Sequence, residues 1–239
     1  MTLRARVLTA FVLSLAVACG ESAPEKQRTS MDSIDWDAID ENDNGSQPEA
    51  EELIDVGALP IQDLRSSFGF HIPSGKHRSK GGGPGTLHFG THPDRTVHFR
   101  AKFHQNAAYT TASSGNQSDW NKLLGITTNW IHKNSIRLGW AYNPSTKLID
   151  LGFYGYIHKT RYMPKITSVP LETWVDCELH LWREGMSVTV NGQTTTINQD
   201  LHLSTWFPTM TWVLMTAYFG GDETAPHDID VDVTDVREL

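Results

Sequence analysis

The chain has 239 residues, 20 Lys and Arg against 28 Asp and Glu, a formal net charge of −8, 38% hydrophobic residues and two cysteines. That length and apolar content suffice for one ordinary domain and its core, and the charge balance excludes a surface built to attract nucleic acid. No nucleotide loop, zinc-ligand spacing or Gly-x-Ser-x-Gly elbow occurs, so the common cofactor and nucleophile signatures are missing.

Residues 1–18 read as an export signal. Arg4 and Arg6 precede an apolar run from Val7 to Ala18 that is too short to cross a bilayer as a mature helix. Two cut sites are legible. Ala16-Val17-Ala18 obeys the small-x-small rule, whereas Leu15-Ala16-Val17-Ala18-Cys19 resembles a bacterial lipobox with Ala16 in the place of the usual leucine. The lipobox implies lipidation of Cys19 and attachment to the cell envelope. Gly20 follows the cysteine where an aspartate would retain a lipoprotein at the inner membrane, so the expected location is the outer membrane. The other cysteine, Cys177, stands between Asp176 and Glu178 in a strand-like run, which suggests a packed side chain. Without acylation the two cysteines could pair, and they do not settle the compartment.

Residues 19–56 carry twelve acids against Lys26 and Arg28, with few apolar residues and much Ser, Pro, Asn and Gly. Such a stretch cannot bury a core and reads as a disordered, self-repelling tether. Asp40-Glu41-Asn42-Asp43-Asn44-Gly45 has part of the oxygen spacing of a calcium loop, but no glutamate closes a twelve-residue loop. Removing the tether's −10 and the +2 of Arg4 and Arg6 from the chain's −8 leaves residues 57–239 with zero formal charge, and all 11 histidines lie there.

That domain reads as all-β. Thr96 to His104 alternates, with Val97, Phe99, Ala101 and Phe103 on one side and His98, Arg100, Lys102 and His104 on the other. Further strands are predicted over Ser135 to Tyr142, Leu148 to His158, Val175 to Arg183, Met186 to Asn191, Trp212 to Phe219 and Ile229 to Val236. Asn143-Pro144-Ser145, Arg183-Glu184-Gly185 and Asn191-Gly192 supply turns between them. Gly81 to Gly85 and Ala112 to Asp119 read as loops. Six or more short strands without a helical period predict a two-sheet antiparallel jelly roll or concanavalin-like sandwich.

Two strand segments carry chemistry on one face. Side chains two apart on a strand share a face, so Ser135 pairs with Arg137, and Tyr154 with Tyr156 and His158. If the strands are neighbours, that face holds a guanidinium, a hydroxyl and two phenols. The competing reading of each residue is plain: a surface ion pair for Arg137, cross-strand packing for the tyrosines, an exposed strand end for His158. Arg100, Lys102 and His104 form a basic strand face that would suit an acidic polymer, or else a solvated outer face. Asp228, Asp230 and Asp232 beside His227 invite a metal reading. Residues two apart on a strand are separated by nearly ~7 Å, however, which favours a polar outer face instead.

In order, Asn121-Lys122-Leu123-Leu124-Gly125, Asn134-Ser135-Ile136-Arg137-Leu138-Gly139-Trp140, Tyr154-Gly155-Tyr156, Val190-Asn191-Gly192 and Ala217-Tyr218-Phe219-Gly220-Gly221-Asp222-Glu223-Thr224-Ala225-Pro226 resemble the family 14 polysaccharide lyases over about residues 95 to 236. Those are jelly-roll enzymes that cleave alginate or glucuronan by β-elimination. The resemblance implies catalytic roles for Lys122, Ser135, Arg137, Tyr154 and Tyr156, and the strand faces of Arg100, Lys102, His104 and His158 offer further contacts to an acidic polysaccharide. The motifs and spacings in the chain call for no cofactor and no metal. This chain departs from the family's Gly-Gly-Lys-Leu-Pro-Gly loop, having Trp120-Asn121 before Lys122 and Leu124 for the proline, and its groove-walling loops are short.

Elimination across C4 and C5 of a uronate removes the C5 proton while charge builds on the carboxylate, and the departing O4 needs a proton. Arg137 suits the carboxylate by its bidentate fork, with Ser135 adding a hydrogen bond. A phenol has an ordinary pKa near ~10 and needs nearby cations to act as base, which Lys122 and Arg137 would supply to Tyr156, while Tyr154 orients the sugar. Lys122 is either the electrostatic partner or the proton carrier. The alternative function is a carbohydrate-binding surface lipoprotein that keeps the fold and the sugar-contacting face without turnover.

Overall fold

The computed structural model describes residues 67–80, 87–90, 93–128, 131–203 and 209–239. The expected export signal, Cys19, the acidic tether and the Gly81 to Gly85 loop lie outside the described residues.

The strands are β1 (Phe68–Ile72), β2 (Leu87–Gly90), β3 (Arg95–Phe103), β4 (Asn121–Thr128), β5 (Asn134–Asn143), β6 (Leu148–Ile157), β7 (Thr160–Tyr162), β8 (Lys165–Val169), β9 (Val175–Trp182), β10 (Gly185–Val190), β11 (Gln193–Asn198), β12 (Thr209–Leu214) and β13 (Ile229–Glu238). Among the described residues they form two antiparallel sheets. The first runs β1-β13-β3-β9-β10-β11; the second runs β2-β12-β4-β5-β6-β7, with β8 also paired to β6. This is the expected two-sheet jelly roll.

Alternation builds the core. On β3, Val97, Phe99, Ala101 and Phe103 are buried while the residues between them are half-exposed. Ile136, Leu138 and Trp140 of β5 and Leu151 and Phe153 of β6 face them from the second sheet, and Phe103 meets Trp140 with ring centroids 5.2 Å apart. Cys177 is buried in this layer, and burial, reinforced by Asp176, pushes its thiol pKa well above the ordinary range. It is a packed side chain, as its strand position predicts.

The strand predicted over Trp212 to Phe219 is shorter: β12 ends at Leu214, and Tyr218 rejoins the sheet through a single bridge to Lys122. The loop over Ala112 to Asp119 contains one helical turn, α1 (Ser114–Gln117). Asn191 and Gly192 both have positive φ and close the β10–β11 hairpin, as Asn-Gly predicts. β4 has no alternation to read, because a register shift between Lys122 and Gly125 lets Leu123 and Leu124 both be buried.

Candidate functional site

β5 and β6 are direct neighbours, and their register sets Ser135 opposite Tyr156 and Arg137 opposite Tyr154. The two expected pairs therefore share the outer face of one sheet. The phenol oxygens of Tyr154 and Tyr156 lie 3.4 Å apart. Lys122, for which the resemblance implies a loop, stands on β4 opposite Gly139. It exchanges both backbone hydrogen bonds with Tyr218 at 2.8 Å, so the two side chains are cross-strand partners. Lys122 Nζ sits 4.4 Å from the centroid of the Tyr218 ring and 5.1 Å from that of Tyr154. Contacts of this kind hold an ammonium by the negative faces of the rings.

Arg137 and Ser135 are placed differently from their expected roles. Arg137 is 8% exposed, and its stem lies against Gly125, where a Cβ would collide with it. Its Nε donates to the Leu123 carbonyl at 2.9 Å, and one terminal nitrogen donates to the carbonyl and hydroxyl oxygens of Thr216 at 2.7 and 3.1 Å. The bulge in β4 takes the Leu123 carbonyl out of the ladder, and the guanidinium satisfies it. Arg137 thus braces the strand that carries Lys122 to the segment that carries Tyr218. The Ser135 hydroxyl donates a short hydrogen bond to the Ile131 carbonyl and is buried.

A cleft of about 760 Å³ opens above this face. It is lined by Lys122, Tyr154, Tyr156 and Tyr218, by Trp120, Arg161, His77 and His132, and by two carboxylates, Asp119 and Asp222, among others. Neither Arg137 nor Ser135 lines it. Arg161, the cross-strand partner of Tyr156 on β7, was not expected. Burial pulls its guanidinium pKa down, but the adjacent Tyr154 and Tyr156 phenols outweigh this and hold it above its ordinary value. His132 stacks on Tyr156 and His77 on Tyr218, with ring centroids 5.1 and 5.2 Å apart. His77 Nδ1 is 2.8 Å from the Phe219 carbonyl, so it is the donor there, and in the neutral ring the lone pair falls on Nε2. Behind the cleft, the Asn121 amide donates to the buried Tyr109 hydroxyl at 2.8 Å and accepts from Gly220 N at 2.7 Å, tying β4 to the Gly220-Gly221 turn.

The arrangement can hold an anionic ligand between Lys122 and Arg161 and present it to two phenols. No family model matches this chain, and no curated protein matches it in sequence. Solved structures do match. An alginate lyase from a Chlorella virus aligns at 11% identity over 71% of this chain and 83% of its own, with a TM-score of 0.50. The likeness is one of fold. An alginate lyase from Klebsiella pneumoniae aligns at 11% identity over 61% of this chain and 59% of its own, with a TM-score of 0.47. A GH16 protein of Bacteroides ovatus, solved with a mixed-linkage glucan product, aligns at 10% identity over 74% and 82%, with a TM-score of 0.46.

The other expected contacts sit apart from this jelly-roll cleft. His158 and Lys159 are the two turn residues of the β6–β7 hairpin, both with positive φ, so His158 leaves the tyrosine face. Its Nε2 bonds the Asp200 carbonyl at 2.6 Å, and its ring stacks on His202. Arg100, Lys102 and His104 belong to the first sheet's outer face and are met there by acids: Arg100 by Asp176 at 3.3 Å, Lys102 by Asp232 at 3.0 Å, His104 by Glu172 and Asp232 at 3.3 and 3.0 Å. On β13, Asp232 is thus the partner of Lys102 and His104. Asp230 takes His71 and Asn106 at 2.8 and 2.6 Å, and His227 bonds the Asn106 carbonyl. Among the described residues no cluster of three or more His, Cys, Asp or Glu is placed to hold a metal.

Proposed function

We propose that this domain is a polysaccharide lyase that cleaves a uronate-containing polymer of the alginate or glucuronan type by β-elimination, and that Cys19 anchors it to the envelope of a bacterium. The observation that carries the reading is the pair of phenols 3.4 Å apart with Lys122 against one and Arg161 opposite the other. Cations beside a phenol stabilise the charge it acquires on losing its proton, and the same cations neutralise a substrate carboxylate. Tyr156 is half-exposed while Tyr154 is 7% exposed, which favours Tyr156 as the group that reaches the sugar.

In the proposed step the Tyr156 phenolate takes the C5 proton, the C5–H electron pair forms the C4–C5 double bond, and the C4–O4 bond breaks. O4 leaves with a proton delivered from the neighbouring Tyr154 or Lys122. Arg161 and Lys122 hold the carboxylate, and Arg137 acts as a brace. The fold likeness to alginate lyases supports the class of reaction but not the residues.

The test is ultraviolet absorbance of the unsaturated uronate during incubation with alginate, glucuronan and related polymers. Tyr156→Phe is expected to lower kcat by about 10²–10⁴-fold, the usual worth of a general acid–base group. Equal rates in the variant would remove Tyr156 from the mechanism. The commitment of Arg137 and Ser135 to backbone carbonyls favours a second reading, a non-catalytic carbohydrate-binding lipoprotein. Measurable binding with no absorbance change on any polymer would establish that reading instead. Labelled fatty acid entering the native chain and not Cys19→Ala tests the anchor.

A further inference from the structure

We propose that Trp120 is a sugar-stacking platform, forming a subsite that binds a pyranose ring by its face beside the Lys122–Tyr154 centre. The inference rests on the cleft being a polysaccharide site, and it adds a residue outside the motifs that carry the family resemblance. Where that family has two glycines before its lysine, this chain has Trp120 and Asn121.

Gly139 and Gly152 are directly opposed in the β5–β6 register, on the same outer face as Arg137 and Tyr154. A Cβ on Gly139 would come within 2.8 Å of Trp120 Cε3, and one on Gly152 within 2.5 Å of the Pro164 carbonyl oxygen, 2.7 Å of Trp120 Cη2 and 3.0 Å of Cζ3. The benzenoid edge of the indole therefore crosses both strands in a trough that exists because neither position bears a side chain. Glycine within a strand weakens it and marks a place where another group approaches closely. Here two opposed glycines bed one ring.

That ring does not serve the core. Trp120 is absent from the buried cluster between the sheets, is half-exposed, and lines the cleft. Tyr154 adjoins it, since a Cβ on Gly139 would also lie 3.0 Å from Tyr154 Cβ, and Lys122 Nζ stands over the Tyr154 ring. A rigid indole fixed beside a cation is suited to a uronic acid polymer. The axial C–H face of one sugar lies on the aromatic surface while the carboxylate of its neighbour meets the ammonium. The Trp120 contribution is apolar, so it is insensitive to salt, whereas the Lys122 and Arg161 contributions weaken as salt rises.

The experiment is calorimetric titration of the full chain with uronate oligosaccharides, alongside steady-state kinetics where turnover is present. Trp120→Ala is expected to weaken binding and raise KM about tenfold, with the ratio to wild type unchanged between low and high salt, while Trp120→Phe recovers most of the loss. Gly139→Ala, whose Cβ would meet the indole first at 2.8 Å, should weaken binding in the same salt-independent way. Unchanged affinity in Trp120→Ala overturns the platform. So does a loss confined to kcat and melting temperature, which would mark a structural residue, and so does a wild type that binds no oligosaccharide. A protein that binds in a Trp120-dependent way yet gives no unsaturated product refutes the lyase reading and leaves the platform standing.

Discussion

The outer faces of the two sheets carry similar residues to opposite ends. On the first sheet Arg100, Lys102 and His104 each face a carboxylate from β9, β13 or the segment before β9, and the charges are met within the protein. On the second, Lys122 lies over the rings of Tyr154 and Tyr218, and Arg161 stands opposite Tyr156. A phenol holds a cation by its ring without cancelling its charge, and the carboxylates of Asp119 and Asp222 line the same cleft. Glycines at 125, 139 and 152 of the second sheet let the Arg137 stem and the Trp120 ring lie directly on its strands. The first face thus meets its cations with carboxylates, and the second lays phenol rings against Lys122 and Arg161.

Three substitutions test this contrast. The largest effect is expected at Arg137, which holds the second face together from beneath. Arg137→Ala leaves the Leu123 and Thr216 carbonyls without their donor, and at roughly 1–3 kcal/mol for each buried group it should cost about 3 kcal/mol or more in urea unfolding. A loss of activity with stability intact would instead return Arg137 to the substrate.

A smaller effect is expected at Tyr109, whose hydroxyl accepts from Asn121 and whose pKa burial pushes up from 10.0 to about 12. Tyr109→Phe should lose about 1–2 kcal/mol at neutral pH by stranding the Asn121 amide. The folded protein resists ionising this phenol, so its contribution is complete below pH 10 and is lost as pH rises toward 12. The Phe variant should lack that part of the alkaline destabilisation, which a pH series of thermal melts would show.

The smallest effect belongs to the first face. Lys102→Ala should change stability by no more than about 1 kcal/mol, the range of exposed ion pairs, and leave sugar binding unaltered. Burial raises the Asp232 pKa, but Lys102 and His104 outweigh it and hold the carboxyl below its ordinary value. Stability from this group is present above the ordinary carboxylate pKa and is lost as pH falls through the folded value, so the variant should show a shallower acid limb in the same melts. Weakened sugar binding in Lys102→Ala would break the distinction between the faces.

Much of the fold was legible because strand alternation is local. β3, β5, β6, β9, β10 and β13 begin and end within two residues of their predicted bounds, and Ser135, Arg137, Tyr154 and Tyr156 do share a sheet face. β4 was not legible as a strand, since its bulge replaces alternation with Leu123-Leu124. The role of Arg137 was also out of reach, because nothing near it in sequence shows that a freed carbonyl and Thr216 wait for it. His77, His132 and Tyr218 reach the cleft from segments whose meeting is decided by tertiary packing. Arg161 could have been found: a two-residue turn at His158-Lys159 pairs Ile157 with Thr160 and hence Tyr156 with Arg161.

That turn has a further consequence. Because strand faces alternate residue by residue, the length of the β6–β7 turn decides whether a guanidinium or its uncharged neighbour looks into the cleft. One added residue there would move a positive charge from one side of the sheet to the other without altering a single residue that lines the cavity. Loop length in this fold is therefore a means of writing charge onto a surface, and the hairpin tip is where the ligand preference of such a cleft can be changed at least cost to its framework.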